Sequence, residues 1–154
     1  RTVAACPAPA RETIQGASRP TASHCHGPDA VDAMNDGIEP KNSGDQEIPR
    51  FTWWDHRGSK EWVEYAFRKP TKVSSVSIYW FDDTGRGRCR VPASWSLMAK
   101  DGQGWRPIEP AGGSQVAKDR WNTATFAPFE TEGLRVEVNL QKEFSGGILE
   151  WKVE

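Results

Sequence analysis

A two-residue alternation of apolar and polar side chains runs through the sequence after Pro49, and it constrains the fold more than any other feature. Residues 62–67, 75–80 and 134–140 each alternate in this way, as strands with two distinct faces require. Helical spacing does not recur in this part of the chain, and turn pairs such as Asp101-Gly102 separate the runs. Shorter strands are predicted at residues 94–99, 105–108, 123–126 and 148–153. Strands at this spacing without intervening helices indicate an all-β sandwich or barrel.

The length and composition are those of one globular domain with an aromatic core. The chain has 154 residues, which is close to the commonest size of a single domain. Apolar residues make up 36% of it, with eight Trp and six Phe, so a few large side chains can build the core and disorder of the whole chain is excluded. Six of the Trp lie in or beside predicted strands and are assigned to the core: Trp53, Trp62, Trp80, Trp95, Trp105 and Trp151.

The charge balance excludes two classes of partner. The chain carries 20 Lys and Arg against 21 Asp and Glu, a formal net charge of -1. Such a chain has no overall field to attract polyanions or an anionic membrane surface, so we expect neither nucleic acid nor membrane as a partner. No apolar run approaches the ~20 residues that a membrane-spanning helix needs.

The first 18 residues differ in character from the rest. They contain a Pro- and Ala-rich stretch without apolar periodicity, which predicts a linker or the tail of a preceding domain. Since the sequence begins with Arg1, we expect a piece of a longer chain, with the folded domain at residues 19–154. Within that domain, residues 29–35 predict one short helical turn before Asp36-Gly37, and residues 37–49 predict a loop.

The cysteines and histidines give no clear metal or redox motif. Cys6, Cys25 and Cys89 allow at most one internal disulfide and lack the spacing of a zinc knuckle or a redox pair. The His24-Cys25-His26 segment invites a metal interpretation, but adjacent strand residues point to opposite faces and cannot easily chelate one ion together. We favour the interpretation that these three residues are ordinary strand residues.

The order of the motifs resembles the discoidin domain, also called the coagulation-factor type C domain, from about Pro20 to Glu154. The resemblance implies an antiparallel jelly-roll β-sandwich of the galactose-binding type, shared with many carbohydrate-binding modules. One departure is Tyr65-Ala66, which stands where that family usually has Asp-Leu. The segments that carry the resemblance are residues 21–23, 35–37, 51–54, 61–67, 91–95 and 146–153.

A second resemblance concerns the longer chain from which this domain would come. Residues 55–58 and 80–85 are similar to C-terminal modules of bacterial β-L-arabinofuranosidase-type glycosidases. This implies an extracytoplasmic enzyme that degrades plant polysaccharides, with a neighbouring catalytic domain.

The discoidin resemblance also implies one structural calcium ion. The matching positions are Asp36 and Glu150, with Thr52 as a third contributor, and Gly37 would permit the tight turn beside Asp36. Calcium needs six to eight oxygen ligands, which carboxylates and carbonyls can supply. The long insert at residues 38–50 separates Thr52 from the Asp-Gly pair and weakens its match. In the alternative interpretation, Glu150 is simply an exposed strand residue.

Two loops and one further patch combine the side chains that sugar recognition needs, namely an aromatic face and planar polar groups. The loops are residues 53–58 and 81–90, and the patch is residues 119–122. In the alternative interpretation their Arg and Asp side chains form an ion-pair network that only fixes the loops. The candidate ligand-binding residues are Trp54, Asp55, His56, Arg57, Asp82, Asp83, Arg86, Arg88, Trp121 and Asn122.

These patterns favour a binding module over an enzyme. The sequence has no GxSxG, HExxH, P-loop or GxGxxG motif, and adjacent carboxylates such as Asp82-Asp83 make poor opposed acid and base. We therefore assign no catalytic residue and expect a carbohydrate-binding accessory module of a larger secreted polysaccharide-degrading enzyme. The alternative is a structural domain that braces a neighbouring glycoside hydrolase domain. Membrane binding is disfavoured because the loop tips are charged.

Overall fold

The computed structural model describes residues 12–154. In them one 3-10 helix spans Val31–Asn35 between the first two of seven strands. The strands are β1 Arg19–Ala22, β2 Phe51–Thr52, β3 Lys60–Phe81, β4 Ser94–Asp101, β5 Gly104–Ile108, β6 Asn122–Asn139 and β7 Gly147–Val153.

The strands pair antiparallel throughout, in the order β2-β7-β3-β6-β4-β5, with β1 joined to β3. β3 changes partner along its length, because its first part pairs with β1 and its last part with β7. Register shifts after Ala66 and after Val73 interrupt its pairing with β6, and such irregularities let strands bend. The two halves of the long strands thereby contribute to two layers.

The layers meet through aromatic side chains. The ring of Tyr65, from the first half of β3, stacks on Trp151 of β7 with centroids 3.8 Å apart. Trp80, from the last part of β3, meets Trp95 of β4 edge to face at 5.9 Å. Inward positions alternate along the strands, as the two-residue period requires. The prediction of an all-β antiparallel sandwich is confirmed.

Four of the six tryptophans assigned to the core are buried there: Trp53, Trp80, Trp95 and Trp151. The assignment is wrong for Trp62 and Trp105, which are only half-buried. The guanidinium of Arg135 lies between these two rings, at 4.5 Å from Trp62 and 5.8 Å from Trp105. A cation that covers an aromatic face lets it remain at the surface.

The predicted strands are present in the structure, but two pairs of them that were predicted as separate strands are continuous. Residues 62–67 and 75–80 belong to one continuous strand, β3, and residues 123–126 and 134–139 to another, β6. These two strands pair with each other along most of their length. Pro70, which lacks the amide hydrogen of a regular ladder, lies within β3 where its pairing with β6 is interrupted between Ala66 and Thr71.

The short helix and the following loop are where the sequence predicts them. Val31–Asn35 form a 3-10 helix, and residues 37–49 contain no strand or helix. The loop is anchored at its centre, because Ser43 is fully buried and its carbonyl accepts a hydrogen bond from the amide of Asp82. We call residues 38–50 the insert.

The part of the predicted linker that the structure describes packs against the sandwich. Gln15 and Ser18 are buried, and the amide of Val153 donates to Gln15 Oε1 at 3.1 Å. Residues 12–18 therefore contribute to the domain rather than to a linker. Residues 1–11, including Cys6, lie outside the described residues.

Candidate functional site

Two predicted loops meet at one end of the sandwich and enclose a pocket of about 190 Å³. The first, which we call the Trp54 loop, is residues 53–59 between β2 and β3. The second, the arginine loop, is residues 82–93 between β3 and β4. The pocket brings together Trp54, Asp83 and Arg88 from the predicted set.

The floor of the pocket is apolar. Phe81 and Cys89 are buried there and pack in a cluster with Tyr79, Leu149 and the half-buried Trp54. Burial, and next the nearby carboxylate of Asp83, raise the pKa of the Cys89 thiol to about 12. The thiol therefore stays neutral and contributes apolar surface rather than a nucleophile.

Trp54 is held in place by its backbone as well as by packing. Its carbonyl oxygen accepts a hydrogen bond from His24 Nε2 at 2.9 Å. The guanidinium of Arg57 lies 4.6 Å from the ring centroid and forms a 2.6 Å ion pair with Asp55. The predicted residues Asp55 and Arg57 thus flank the Trp54 ring at the rim.

The remaining predicted residue of the Trp54 loop, His56, belongs to a polar cluster below the rim. Its ring stacks on His24 at 3.8 Å, and its Nδ1 lies 3.1 Å from Glu61 Oε2. Ser23 and Ser59 also donate to the Glu61 carboxylate. Burial raises the pKa of Glu61, but these hydrogen bonds outweigh it and leave the pKa below its usual value. His56 therefore supports the loop.

The two aspartates of the arginine loop are used inside the loop. Asp82 is buried, and its carboxylate accepts hydrogen bonds from the amide and hydroxyl of Thr84 and from the amide of Val91. Asp83 accepts from the amide of Cys89 at 2.8 Å and lies 3.6 Å from Arg90. Asp82 thus shapes the loop and does not face a ligand, which corrects the sequence-based assignment. Asp83 shapes the loop and also lines the pocket, where it can contact a ligand.

The two remaining predicted arginines are exposed. Arg88 lines the pocket, and its guanidinium lies 6.0 Å from the ring of Phe144. Arg86 is at the loop tip, beside Gly85, whose φ of 93° is in the region that favours glycine. Within residues 12–154 neither arginine has a carboxylate within 4.0 Å.

The third predicted patch does not line the pocket, although Trp121 packs against the cluster that forms the pocket floor. Trp121 packs edge to face on Tyr79 at 5.3 Å, with the Lys152 ammonium 4.4 Å from its ring. Asn122 is buried, its Nδ2 donates to the carbonyls of Ile78, Ala117 and Arg120, and its Oδ1 accepts from the Ala117 amide. Asn122 therefore closes the 117–121 turn, and the expectation that it contacts a ligand is wrong because no polar atom is left for one.

The structure adds three polar residues to the pocket that the sequence did not suggest: His26, Asp29 and Arg50. Arg50, at the end of the insert, lies with its guanidinium 4.8 Å over Phe81 and its Nε 3.5 Å from Asp29 Oδ1. No local signal marks these residues, because the insert brings Arg50 to the pocket, while His26 and Asp29 come from the segment before the 3-10 helix.

Two of the three predicted calcium ligands lie together. Glu150 is buried, and its Oε2 accepts a hydrogen bond from the amide of Gly37 at 3.0 Å, which places it beside Asp36. Burial, and next the hydrogen bond and charge of Asp36, raise the pKa of Glu150 to about 9. Glu150 Oε1 is buried without a hydrogen-bond partner. An oxygen-seeking cation would satisfy this atom, so the pair fits calcium.

Thr52 does not join that pair. Its hydroxyl donates to Asp29 Oδ2 at 2.5 Å, on the pocket side of the molecule. In residues 12–154 no group of three or more His, Cys, Asp and Glu side chains is arranged to hold a metal ion. A calcium site would therefore need backbone carbonyls in addition to Asp36 and Glu150.

Comparison with solved structures identifies the class of fold as the discoidin-like β-sandwich of carbohydrate-binding modules. One neighbour is from the Streptococcus pneumoniae β-galactosidase BgaA, with a TM-score of 0.73, 18% identity, and 88% of this chain and 90% of that chain covered. Another is the family 32 carbohydrate-binding module of C. perfringens NanJ in complex with galactose, with a TM-score of 0.66, 16% identity, and 91% and 95% covered.

A third neighbour is a much longer chain. The GH29 fucosidase of Ruminococcus gnavus aligns with a TM-score of 0.61 and 15% identity over 89% of this chain, which spans 25% of the fucosidase chain. No family model matches the sequence, and no curated protein matches it either. A helix long and apolar enough to cross a membrane is absent from residues 12–154.

Proposed function

We propose that this chain is a carbohydrate-binding module without catalytic activity, and that it binds sugar in the pocket between the Trp54 loop and the arginine loop. The observation that carries the proposal is the combination in one pocket of a half-buried Trp54, an apolar floor and the planar polar groups of Arg88 and Asp83. Sugars present apolar CH faces and vicinal hydroxyls, which such groups complement.

The size of the pocket supports a small ligand or the end of a longer one. Its volume of about 190 Å³ is below the ~300 Å³ at which pockets for drug-sized ligands begin. One sugar residue fits that range, with the rest of a chain lying over the rim formed by Asp55 and Arg57. We infer plant polysaccharides, pectic or hemicellulosic, as the source of the ligand.

The biological setting is part of the proposal. The neighbour that binds galactose is a carbohydrate-binding module, and the fucosidase neighbour contains the same fold as a quarter of its chain. Both support an accessory role beside the catalytic domain of an extracytoplasmic glycoside hydrolase. In that setting the module retains the enzyme at its polymeric substrate.

Isothermal titration against a panel of pectic and hemicellulosic oligosaccharides tests the proposal, with Trp54→Ala as the variant. Loss of the Trp54 ring removes a stacking surface and a cation–π partner, so we expect binding to weaken by at least tenfold, about 1.4 kcal/mol. Trp105→Ala is the matched control, because Trp105 is also half-buried and has a cationic partner, Lys100, but it neither lines the pocket nor packs against its floor.

The result can also favour the alternative role. If no sugar on the panel gives heat, and both loops are buried against another domain in the full-length enzyme, the domain braces its neighbour instead. If Trp105→Ala weakens binding as much as Trp54→Ala does, sugar is bound elsewhere on the domain.

We also propose a structural calcium ion held by Asp36 and Glu150. The unpartnered Glu150 Oε1 and the adjacent carboxylate of Asp36 support it. Calcium would neutralise the buried carboxylate of Glu150 and the exposed carboxylate of Asp36. It would tie the Asp36-Gly37 turn to β7, a stabilising role away from the sugar pocket.

A further inference from the structure

We propose that the ligand of this pocket is an acidic sugar, a uronic acid residue whose carboxylate pairs with Arg88. The inference rests on the proposed sugar-binding function and names the chemical class that the pocket selects. It follows from which charged side chains around the pocket have partners within the protein, rather than from the number of charges.

The acidic side chains around the pocket are already committed. Asp82 is buried and accepts three hydrogen bonds within the arginine loop. Asp83 is bound to the Cys89 amide and lies 3.6 Å from Arg90. Asp29 accepts from the Thr52 hydroxyl and lies 3.5 Å from Arg50. Each negative charge is thus compensated by a donor or an arginine of the protein itself.

The arginines divide into paired and unpaired groups. Arg50, Arg57 and Arg90 each have an aspartate within 4.0 Å, whereas Arg86 and Arg88 have no carboxylate at that distance in the described part of the chain. Both unpaired arginines are on the same short loop, and Arg88 lines the pocket. The mouth of the pocket therefore carries positive charge that the protein does not neutralise.

The geometry of the loop keeps this charge in place. Gly87 packs against Asp83, since a Cβ at Gly87 would lie 2.2 Å from Asp83 Oδ2. The carbonyl of Asp83 accepts from the amides of Arg86 and Gly87, and the amide of Asp83 donates to the carbonyl of Cys89. In this closed loop Arg90 pairs with Asp83, while Arg86 and Arg88 are exposed and have no aspartate partner in the described part of the chain.

A uronate fits this arrangement better than a neutral sugar does. The arginine guanidinium binds a carboxylate through two parallel hydrogen bonds, which are shorter and stronger than those to hydroxyls. Galacturonate and galactose have the same ring hydroxyls and differ in the group on C5, a carboxylate in one and a hydroxymethyl group in the other. The Trp54 ring and Asp83 can serve either sugar, so Arg88 decides between them.

The test compares oligogalacturonate with the galactose oligomer of equal length by isothermal titration at low and high salt. We expect the acidic oligomer to bind at least tenfold more tightly at low salt, with the preference shrinking at high salt because the arginines are exposed. Arg88→Gln should abolish the preference, because it weakens binding of the acidic oligomer by at least tenfold more than binding of the galactose oligomer. Arg88→Lys should restore only part of it, because lysine keeps the charge but loses the fork.

The control for loss of charge alone is Arg106→Gln on β5. Arg106 is exposed and lies against Phe129, and it does not line the pocket. Equal binding of both oligomers, or an equal effect of Arg106→Gln and Arg88→Gln on the preference, would overturn the acidic-sugar inference and leave sugar binding intact. Absence of binding to any sugar would overturn the proposed function itself, so the two failures are distinguishable.

Discussion

Replacing Asp82 with alanine should destabilise the domain far more than the same change at Asp55. Asp82 is 6% exposed and accepts hydrogen bonds from the Thr84 amide, the Thr84 hydroxyl and the Val91 amide. A hydrogen bond to a charged group contributes roughly 1.5–3 kcal/mol, and a buried donor left alone costs about as much. Thr84 is exposed and regains water, so we expect a net loss of about 3 kcal/mol rather than the full sum.

Asp55 provides the matched comparison, because its ion pair with Arg57 is at the surface. The Asp55 side chain is 60% exposed, and pairs of this kind contribute at most ~1 kcal/mol. Urea denaturation followed by tryptophan fluorescence measures both variants. For a domain of this size, about 3 kcal/mol corresponds to a fall in Tm of roughly 6–12 °C.

If Asp82 holds the loop as its scaffold, both effects should be seen, and the measurement can refute this role. Should Asp82→Ala lose less than about 1 kcal/mol, or no more than Asp55→Ala, the carboxylate of Asp82 would not be what holds the loop. In that case the sequence-based assignment of Asp82 to the ligand would be the better one, and the variant would lose binding without losing stability.

Two further predictions concern the buried carboxylates. Addition of Ca²⁺ should raise the Tm of the wild type and leave that of Glu150→Gln unchanged, and a Tm of the wild type that is the same with Ca²⁺ and with chelator would refute the site. The pKa of Glu61 is lowered from 4.5 in the folded protein, so its contribution to stability is present above pH 4.5 and is lost as the pH falls through the folded value. Glu61→Gln should therefore be less stable than the wild type by about 1–2 kcal/mol near pH 6. This difference in the free energy of unfolding should shrink as the pH falls. An undiminished difference at low pH would contradict the prediction.

The sequence predicts the scaffold well because alternation is a local signal. Val63 and Tyr65 face the core while Trp62 and Glu64 face outward, which the two-residue period alone requires. The assignment of Trp62 to the core is wrong because it followed the hydrophobicity of tryptophan rather than the alternation. The guanidinium that covers the Trp62 ring belongs to Arg135 of β6, 73 positions later. Long-range pairing, rather than local preference, decides on which side of the sheet a tryptophan is tolerated.

Only part of the candidate site can be predicted from the sequence, because long-range contacts bring some of its residues together. Trp54 and Arg88 stand in loops whose chemistry is visible in the sequence, so both are found. Arg50 and Asp29 are not, because the insert brings Arg50 to the pocket by way of Ser43, whose carbonyl binds the Asp82 amide and whose hydroxyl accepts from the Asp119 amide. No spacing rule encodes a contact that depends on three separate loops.

The arginine loop shows how folding changes the charge that a ligand meets. In the sequence, residues 81–90 contain two aspartates and three arginines, which predicts a nearly neutral, self-compensating loop. In the structure the two aspartates accept hydrogen bonds from backbone amides, and within residues 12–154 Arg90 is the one arginine of this loop with an aspartate partner. The acids thus hold the loop, although Asp83 also lines the pocket, and the charge left without a partner is that of Arg86 and Arg88. The loop that first suggested a mere scaffold therefore also supplies the positive charge at the pocket.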